Sequence, residues 1–330
     1  MSTRFDVVAI GHAIVDVLAH VNDAFLVEHG IAKGAMTLID AFRAEALERT
    51  MSKRVEASGG SAANTTVGVA SFGGKAAFIG KVRDDRLGEV FRTEIRKADV
   101  AFDNTPAKSG LATASSHILV TPDGQRSMNT FLGCASALEA SDMDAKLIGD
   151  AKILYVEGYL WDTPGAKSAI RQAIAHAKAA KRKVAFTLSD PFCVGRWRDE
   201  FKALLKSDVD ILFANEAEIK ALYETEHFDE AFQKLRAWRG TAALTRSAHG
   251  SVCVDTNDVH ILEAEPVAKV EDTTGAGDQY AAGFLYGLAH GLSLGKCGRL
   301  GGIAAAEVIS HMGPRPQTSL KALATKAGLI

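Results

Sequence analysis

Seven consecutive residues, Asp272-Thr273-Thr274-Gly275-Ala276-Gly277-Asp278, run straight into an apolar stretch of helical character. Glycines at 275 and 277 let the backbone turn tightly and present successive N–H groups. At the start of a helix those amides and the helix dipole favour an anion. A carboxylate beside an anion site repels the ligand, unless its task is to take a proton from a nucleophile attacking that ligand. Asp278 as general base, with Gly275, Ala276 and Gly277 as an anion hole, therefore fits phosphoryl transfer to an alcohol. A tight turn followed by an ordinary N-terminal helix carboxylate fits the same spacing, and spacing alone does not separate the two. Two other phosphate motifs are excluded. GxGxxG would need glycine at Tyr280, and GxxxxGK[ST] fails because Gly80-Lys81 is followed by Val82 and Gly295-Lys296 by Cys297.

Three further groups carry weaker signals. Gly59-Gly60-Ser61-Ala62-Ala63-Asn64 combines adjacent glycines, which permit close backbone approach to a ligand, with an amide that offers a donor and an acceptor to hydroxyls. A loop-to-helix cap is the plainer reading. Asn215-Glu216-Ala217-Glu218 follows an apolar strand, and positions three apart share a helix face. Asn215 and Glu218 together suit a hydrated magnesium ion on nucleotide phosphates, or simply an N-cap. Asp16 interrupts the apolar run Ile14-Val15-Asp16-Val17, where an unpaired acid is costly. It is either satisfied internally or turned to ligand hydroxyls. Arg126, after the turn Pro122-Asp123-Gly124, is a solvated turn residue or a reach into a site. Phe192, after Asp190-Pro191, is core or a ligand platform.

The elements that must hold these residues alternate. Apolar runs at 5–11, 75–80, 152–156, 183–188, 209–213 and 241–245 read as strands. Stretches at 62–72, 84–97, 164–180, 215–223, 228–238, 277–290 and 294–311 read as helices. Repeated βα units of this kind predict a mostly parallel sheet with helices on both faces. Residues 13–40 and 111–131 break the rhythm, the second as a hairpin, and suggest a small separate β sheet.

The 330 residues correspond to about two domains at roughly 150 each. The 38 Lys+Arg against 40 Asp+Glu give a net charge of -2, which argues against a nucleic-acid or anionic-membrane partner. The 4 cysteines form no CxxC pair and no zinc spacing, so free thiols in a reducing compartment are expected. With no signal peptide and no continuous apolar span of membrane length, the expected location is cytoplasmic.

Taken together these segments resemble the ribokinase-like sugar and nucleoside kinases, also called the PfkB family. GGSAANTTVGVASFGG is similar to the family's first signature, DTTGAGDQYAAGFLYG to its second, and NEAE to its NxxE element, in the family's order. The resemblance implies an α/β fold: a three-layer α/β/α core (1–12, 41–110 and 132–330) with a small β lid inserted at 13–40 and 111–131. It implies ATP-dependent phosphorylation of a hydroxymethyl group. Asp278 would be the base, and 275–277 the anion hole. Asn215 and Glu218 would organise Mg2+ and phosphates, and Asp16, Gly59, Gly60 and Asn64 would bind sugar hydroxyls. Thr245 and Gly250 flank the expected nucleotide loop, in which Ser247 replaces the usual glycine. Asp272 and Thr274 are the candidates for a monovalent cation, K+.

Within the family the adenosine kinases are the most similar, through GHAIVDV, FTLSDPF and Gly124-Gln125-Arg126-Ser127. That likeness implies a nucleobase stacked on Phe192 and covered from Met36 and Leu38, with Arg126 directed to the site and His12 replacing the usual Asn. A nucleoside 5′-hydroxyl is the expected acceptor. A free sugar such as ribose or fructose is the alternative, and an inactive sensor is disfavoured by the intact Asp278. A monomer or a homodimer fits equally.

Overall fold

A computed structural model describes residues 3–330. The apolar runs form one nine-stranded sheet, and Val8 and Ile10 show why it is covered on both faces. They pack into one core with Ile170, Phe201 and Ile219, while the alternate residues Val7 and Ala9 pack into the other with Val67, Phe91 and Phe284. Side chains alternate across a strand, so an uninterrupted apolar run needs helices on both sides. The helices Pro164–Ala179, Pro191–Ser207 and Glu216–Tyr223 cover one face. Ser61–Ser71, Arg86–Lys97 and Ala276–Ala289 cover the other. The architecture is three-layer α/β/α.

The sheet runs Val259–Leu262, Ser251–Val254, Thr241–Thr245, Ile211–Asn215, Lys183–Thr187, Ala151–Glu157, Phe5–Ile10, Ala76–Ile79, Val100–Ala101. All neighbours are parallel except at one edge, where Ser251–Val254 runs antiparallel to both Val259–Leu262 and Thr241–Thr245. From Phe5–Ile10 the chain moves to one side through Ala76–Ile79. It then returns to build the other side outward from Ala151–Glu157. The direction of winding reverses between these two central strands. In an open α/β sheet, the crevice beyond the carboxyl ends at such a reversal is where ligands bind.

The second sheet has five strands in the order Met36–Leu38, Arg126–Phe131, Ala114–Val120, Ile14–His20, Val55–Gly59. The hairpin expected in 111–131 is its centre. The fifth strand corrects the sequence boundary, which had left 41–110 entirely in the core. Val55–Gly59 pairs antiparallel with Ile14–His20, and the helix Ala41–Thr50 packs on the small sheet. The strand Val-Glu-Ala-Ser-Gly is buried only toward its end, so it lacks the apolar pattern that would have marked it. Residues 191–207, unassigned from sequence, form a helix capped by Asp190, whose side chain accepts from the Cys193 amide, with Pro191 in the first turn.

Candidate active site

A cavity of about 690 Å³ opens where the large sheet reverses, roofed by the small sheet. Thr187, Asn215 and Thr245, the last residues of three parallel strands, reach it, as do the first turns of the helices Ser61–Ser71 and Ala276–Ala289. His12, Asp16, Gly60, Asn64 and Asp278 line it together, though they lie up to 266 positions apart in the chain.

Asp278 sits in the first turn of its helix. Ser61 Oγ donates to its Oδ1 at 2.6 Å, and Asn64 Nδ2 donates to its Oδ2 at 3.1 Å. Burial lifts its pKa from 3.8 to about 6, against the lowering pull of those two donors. It is therefore ionised at neutral pH, yet holds its negative charge at a cost, which is the condition for a general base. Asp16 is likewise raised by burial to about 6, opposed by Arg315 and Arg126.

Arg315 was not singled out from sequence. Its Nε donates to Asn64 Oδ1 at 3.1 Å and its Nη1 to Ser58 Oγ at 2.6 Å. Burial lowers its pKa to about 10, and the charges of Asp16 and Asp278 oppose that fall. It bridges the small sheet and the helix that carries Asn64. Glu157 was also missed. It is 1% exposed at the end of its strand and accepts from the His12 amide at 2.7 Å and the Ala62 amide at 3.0 Å. His12 Nδ1 lies 3.1 Å from the same carboxylate. Glu157 thus ties the loop after the first strand to the start of the helix Ser61–Ser71. Glu157 ends the apolar run Ile153-Leu154-Tyr155-Val156, a signal close to the one that marked Asp16, whereas Arg315 stands between Pro314 and Pro316 with no such run around it.

The anion loop is built by close packing. Gly275 caps the helix at φ 80, and a Cβ there would lie 2.7 Å from Pro314 Cα and O. No other residue type fits both the left-handed angle and that contact. The Gln279 side chain then donates to the Asn64 and Pro314 carbonyls, both at 3.0 Å, locking this helix to its neighbour. First-turn amides of a helix have no partner within it; here residues 275–277 line the cavity beside Asp278, and the Ala276 amide donates back to the Thr273 carbonyl at 3.3 Å, which closes the turn.

The remaining predicted residues divide. Asn215 and Glu218 line the cavity and also form a capping box. Glu218 N donates to Asn215 Oδ1 at 2.8 Å, and Asn215 N to Glu218 Oε2 at 3.0 Å. The capping reading therefore holds, and the same two side chains stand where a ligand in the cavity could meet them. Burial lifts Glu218 to about 7. Thr245 lines the cavity but Gly250 does not. Between them Ser247 adopts φ 51, the left-handed angle glycine would take without cost. Met36, from the small sheet, and Phe192, from the helix Pro191–Ser207, both line the cavity, 52% and 80% exposed. Gly59 lies behind the wall, where its missing side chain leaves room for the Asp16 carboxylate. Arg126 and Asp272 do not face the cavity. They pair with each other at 2.8 Å, beside the cavity-lining Thr274.

Comparison with known proteins decides what this arrangement belongs to. The profile of the pfkB family carbohydrate kinases matches residues 6–321. The chain belongs to that family. It is a phosphotransferase that acts on a hydroxyl group of a nucleoside or sugar. A solved adenosine kinase from Sinorhizobium meliloti is 51% identical, with 98% of this chain and 99% of that one covered and a TM-score of 0.90. A probable sugar kinase from Rhizobium etli CFN 42 is 49% identical, with 99% and 100% covered and a TM-score of 0.92. Among curated relatives, a probable chloroplastic fructokinase-6 from Arabidopsis thaliana is 32% identical over 254 residues, which is 72% of this chain but only 64% of that protein's length.

In this PfkB kinase the donor set near Glu218 suits the magnesium expected with ATP. Among the described residues no group of three or more His, Cys, Asp or Glu side chains could grip a metal unaided. A hydrated ion carried mainly by phosphates needs only one or two carboxylates from the protein. Glu218 lies at the cavity wall, and each of its oxygens accepts one hydrogen bond from Asn215 (Nδ2 to Oε1 at 2.6 Å, N to Oε2 at 3.0 Å), which leaves one lone pair apiece.

Proposed function

We propose that this kinase phosphorylates the 5′-hydroxyl of a nucleoside, adenosine foremost, at the expense of ATP, in the service of purine salvage. The observation that carries the nucleoside reading is the apolar opening of the cavity. Met36, Leu38 and Phe192 line it while 52%, 59% and 80% exposed. Large apolar side chains held open to water around a polar floor suit a ligand with one flat apolar end and one hydroxylated end. A small free sugar gives them nothing to cover. The 51% identical adenosine kinase supports the same choice.

In this reading Asp16, Gly60 and Asn64 hold the ribose hydroxyls, His12 faces the base, and Phe192 stacks on it. Asp278 takes the 5′-hydroxyl proton as that oxygen bonds to the γ-phosphorus and the bond to the β-phosphate oxygen breaks, leaving ADP. The 275–277 amides hold the charge that develops on the phosphoryl oxygens. Thr245 and Gly250 shape the nucleotide side. Asn215 and Glu218 are the residues that would orient magnesium, whose chemistry is to neutralise phosphate charge. A cytoplasmic location accords with four free, buried cysteines, and no helix among the described residues is long and apolar enough to cross a membrane.

The test is ATP consumption with adenosine, guanosine, inosine, cytidine, ribose and fructose, repeated with Phe192→Ala. Adenosine should be preferred, and the substitution should raise its KM about tenfold, as for loss of one stacked base contact. Preference for a free sugar, with Phe192→Ala inert, would replace the nucleoside reading by the sugar-kinase one.

A further inference from the structure

Asp272 and Thr274 were offered by the sequence to a monovalent cation, and the donors around them do not fit one. Asp272 Oδ1 accepts from the Thr274 amide at 3.1 Å and the Thr274 hydroxyl at 2.7 Å. Its Oδ2 accepts from the Gly313 amide at 2.9 Å and faces Arg126 Nη1 at 2.8 Å. The same Nη1 lies 3.4 Å from Thr274 Oγ1. Four donors thus converge on one carboxylate, and both members of the ion pair are buried, with side chains 8% and 5% exposed. A metal ion needs several free oxygen lone pairs, whereas here they are directed at hydrogens and a full positive charge is already present.

We propose that the Arg126 guanidinium occupies the place of the monovalent cation beside the anion loop, so that phosphoryl transfer by this kinase does not depend on K+. Without a positive partner, Asp272 would be a buried, uncompensated carboxylate at the foot of the loop that receives the phosphate. Such a charge is costly and would repel the ligand. A guanidinium removes the conflict permanently, because it does not deprotonate in a protein. It also arrives from the small sheet, on the strand Arg126–Phe131, while Asp272 lies just before the helix Ala276–Ala289. The charge is therefore supplied across the two sheets, and Asp272 uses it to hold the turn through Thr274 that leads into Gly275. Arg126 is a positioning residue in this role. The proposal rests on the loop's part in phosphoryl transfer and not on which acceptor is used.

The experiment has two arms. Turnover of the wild type, with whichever acceptor is phosphorylated, is measured in KCl and in tetramethylammonium chloride at equal ionic strength. Rates should agree, while Arg126→Ala should lose about tenfold or more in tetramethylammonium, the scale of a broken buried ion pair. KCl, or millimolar guanidinium, should restore most of that loss. In the second arm the unliganded proteins are melted in the same salts. The variant should melt higher in KCl than in tetramethylammonium, and the wild type should not distinguish them. This arm needs no acceptor, so a failed substrate search leaves it intact. Severalfold activation of the wild type by K+, or an Arg126→Ala protein that folds but responds to neither K+ nor guanidinium, overturns the proposal. Should the variant not fold, the wild-type comparison alone decides.

Discussion

Replacing Ser61 by alanine should move the acid limb of the pH–rate profile upward without abolishing activity. Asp278 must be ionised to accept a proton, and burial sets its pKa near 6, so kcat/KM should fall below that pH. The loss should be about tenfold per pH unit, as for one required base. The Ser61 hydroxyl donates to Asp278 Oδ1 at 2.6 Å and heads the influences that hold the pKa down. A bond that short to a carboxylate is charge-assisted. Its removal costs the ionised form about 1.5 kcal/mol or more, and 1.4 kcal/mol corresponds to about one pH unit. The Ser61→Ala limb should therefore lie about one unit higher, with the high-pH plateau largely retained. The assay is kcat/KM for ATP consumption between about pH 5 and 9, in buffers of constant ionic strength. A limb that stays in place while the plateau falls would show that Ser61 contacts substrate and that Asp278 does not govern the profile.

The other predictions follow from the same charges. Since its folded pKa lies above the ordinary 3.8, ionised Asp278 costs stability. That cost is absent below about pH 4, grows as pH rises, and is complete above about pH 6. Asp278→Asn should thus be more stable than the wild type at pH 7.5, by about 3 kcal/mol at most, with the gain vanishing near pH 4 in urea titrations. A variant less stable at pH 7.5 would contradict the burial argument. Arg315→Gln removes the group that holds Asn64 and Ser58 and offsets Asp16 and Asp278. It should lower stability by about 2 kcal/mol and raise the acceptor KM more than it lowers kcat, measured by unfolding and steady-state kinetics. An unchanged KM would leave Arg315 a purely structural bridge.

What could be read in the sequence and what could not have a common cause. The loop 272–278, the Gly60–Asn64 turn and the Asn215–Glu218 pair each announce themselves within a few residues, because a helix start needs special backbone and capping side chains at fixed offsets. The apolar strands likewise fix a two-faced sheet, and its winding fixes where the crevice lies. Glu157 closes an apolar run and Arg315 sits between two prolines, but neither setting names a partner. Their partners, the amides of His12 and Ala62 and the side chains of Ser58 and Asn64, are brought to them only by the completed fold. Val55–Gly59 was missed for a related reason, since its pairing with Ile14–His20 supplies what its own side chains do not. Arg126 reads from the sequence as a solvated turn residue or a reach into the site, whereas in the fold it pairs with Asp272 across the interface of the two sheets, a partner that neither segment names.

The most direct test of Asp278 as the base is Asp278→Asn with ATP and the best acceptor from the substrate panel. Asparagine keeps the shape of the side chain but cannot take the proton. Turnover should fall by about three orders of magnitude or more, within the range for loss of a general base, while acceptor binding measured by calorimetry stays within about tenfold. Turnover near the wild-type rate, or loss of acceptor binding in a folded protein, would contradict the assignment.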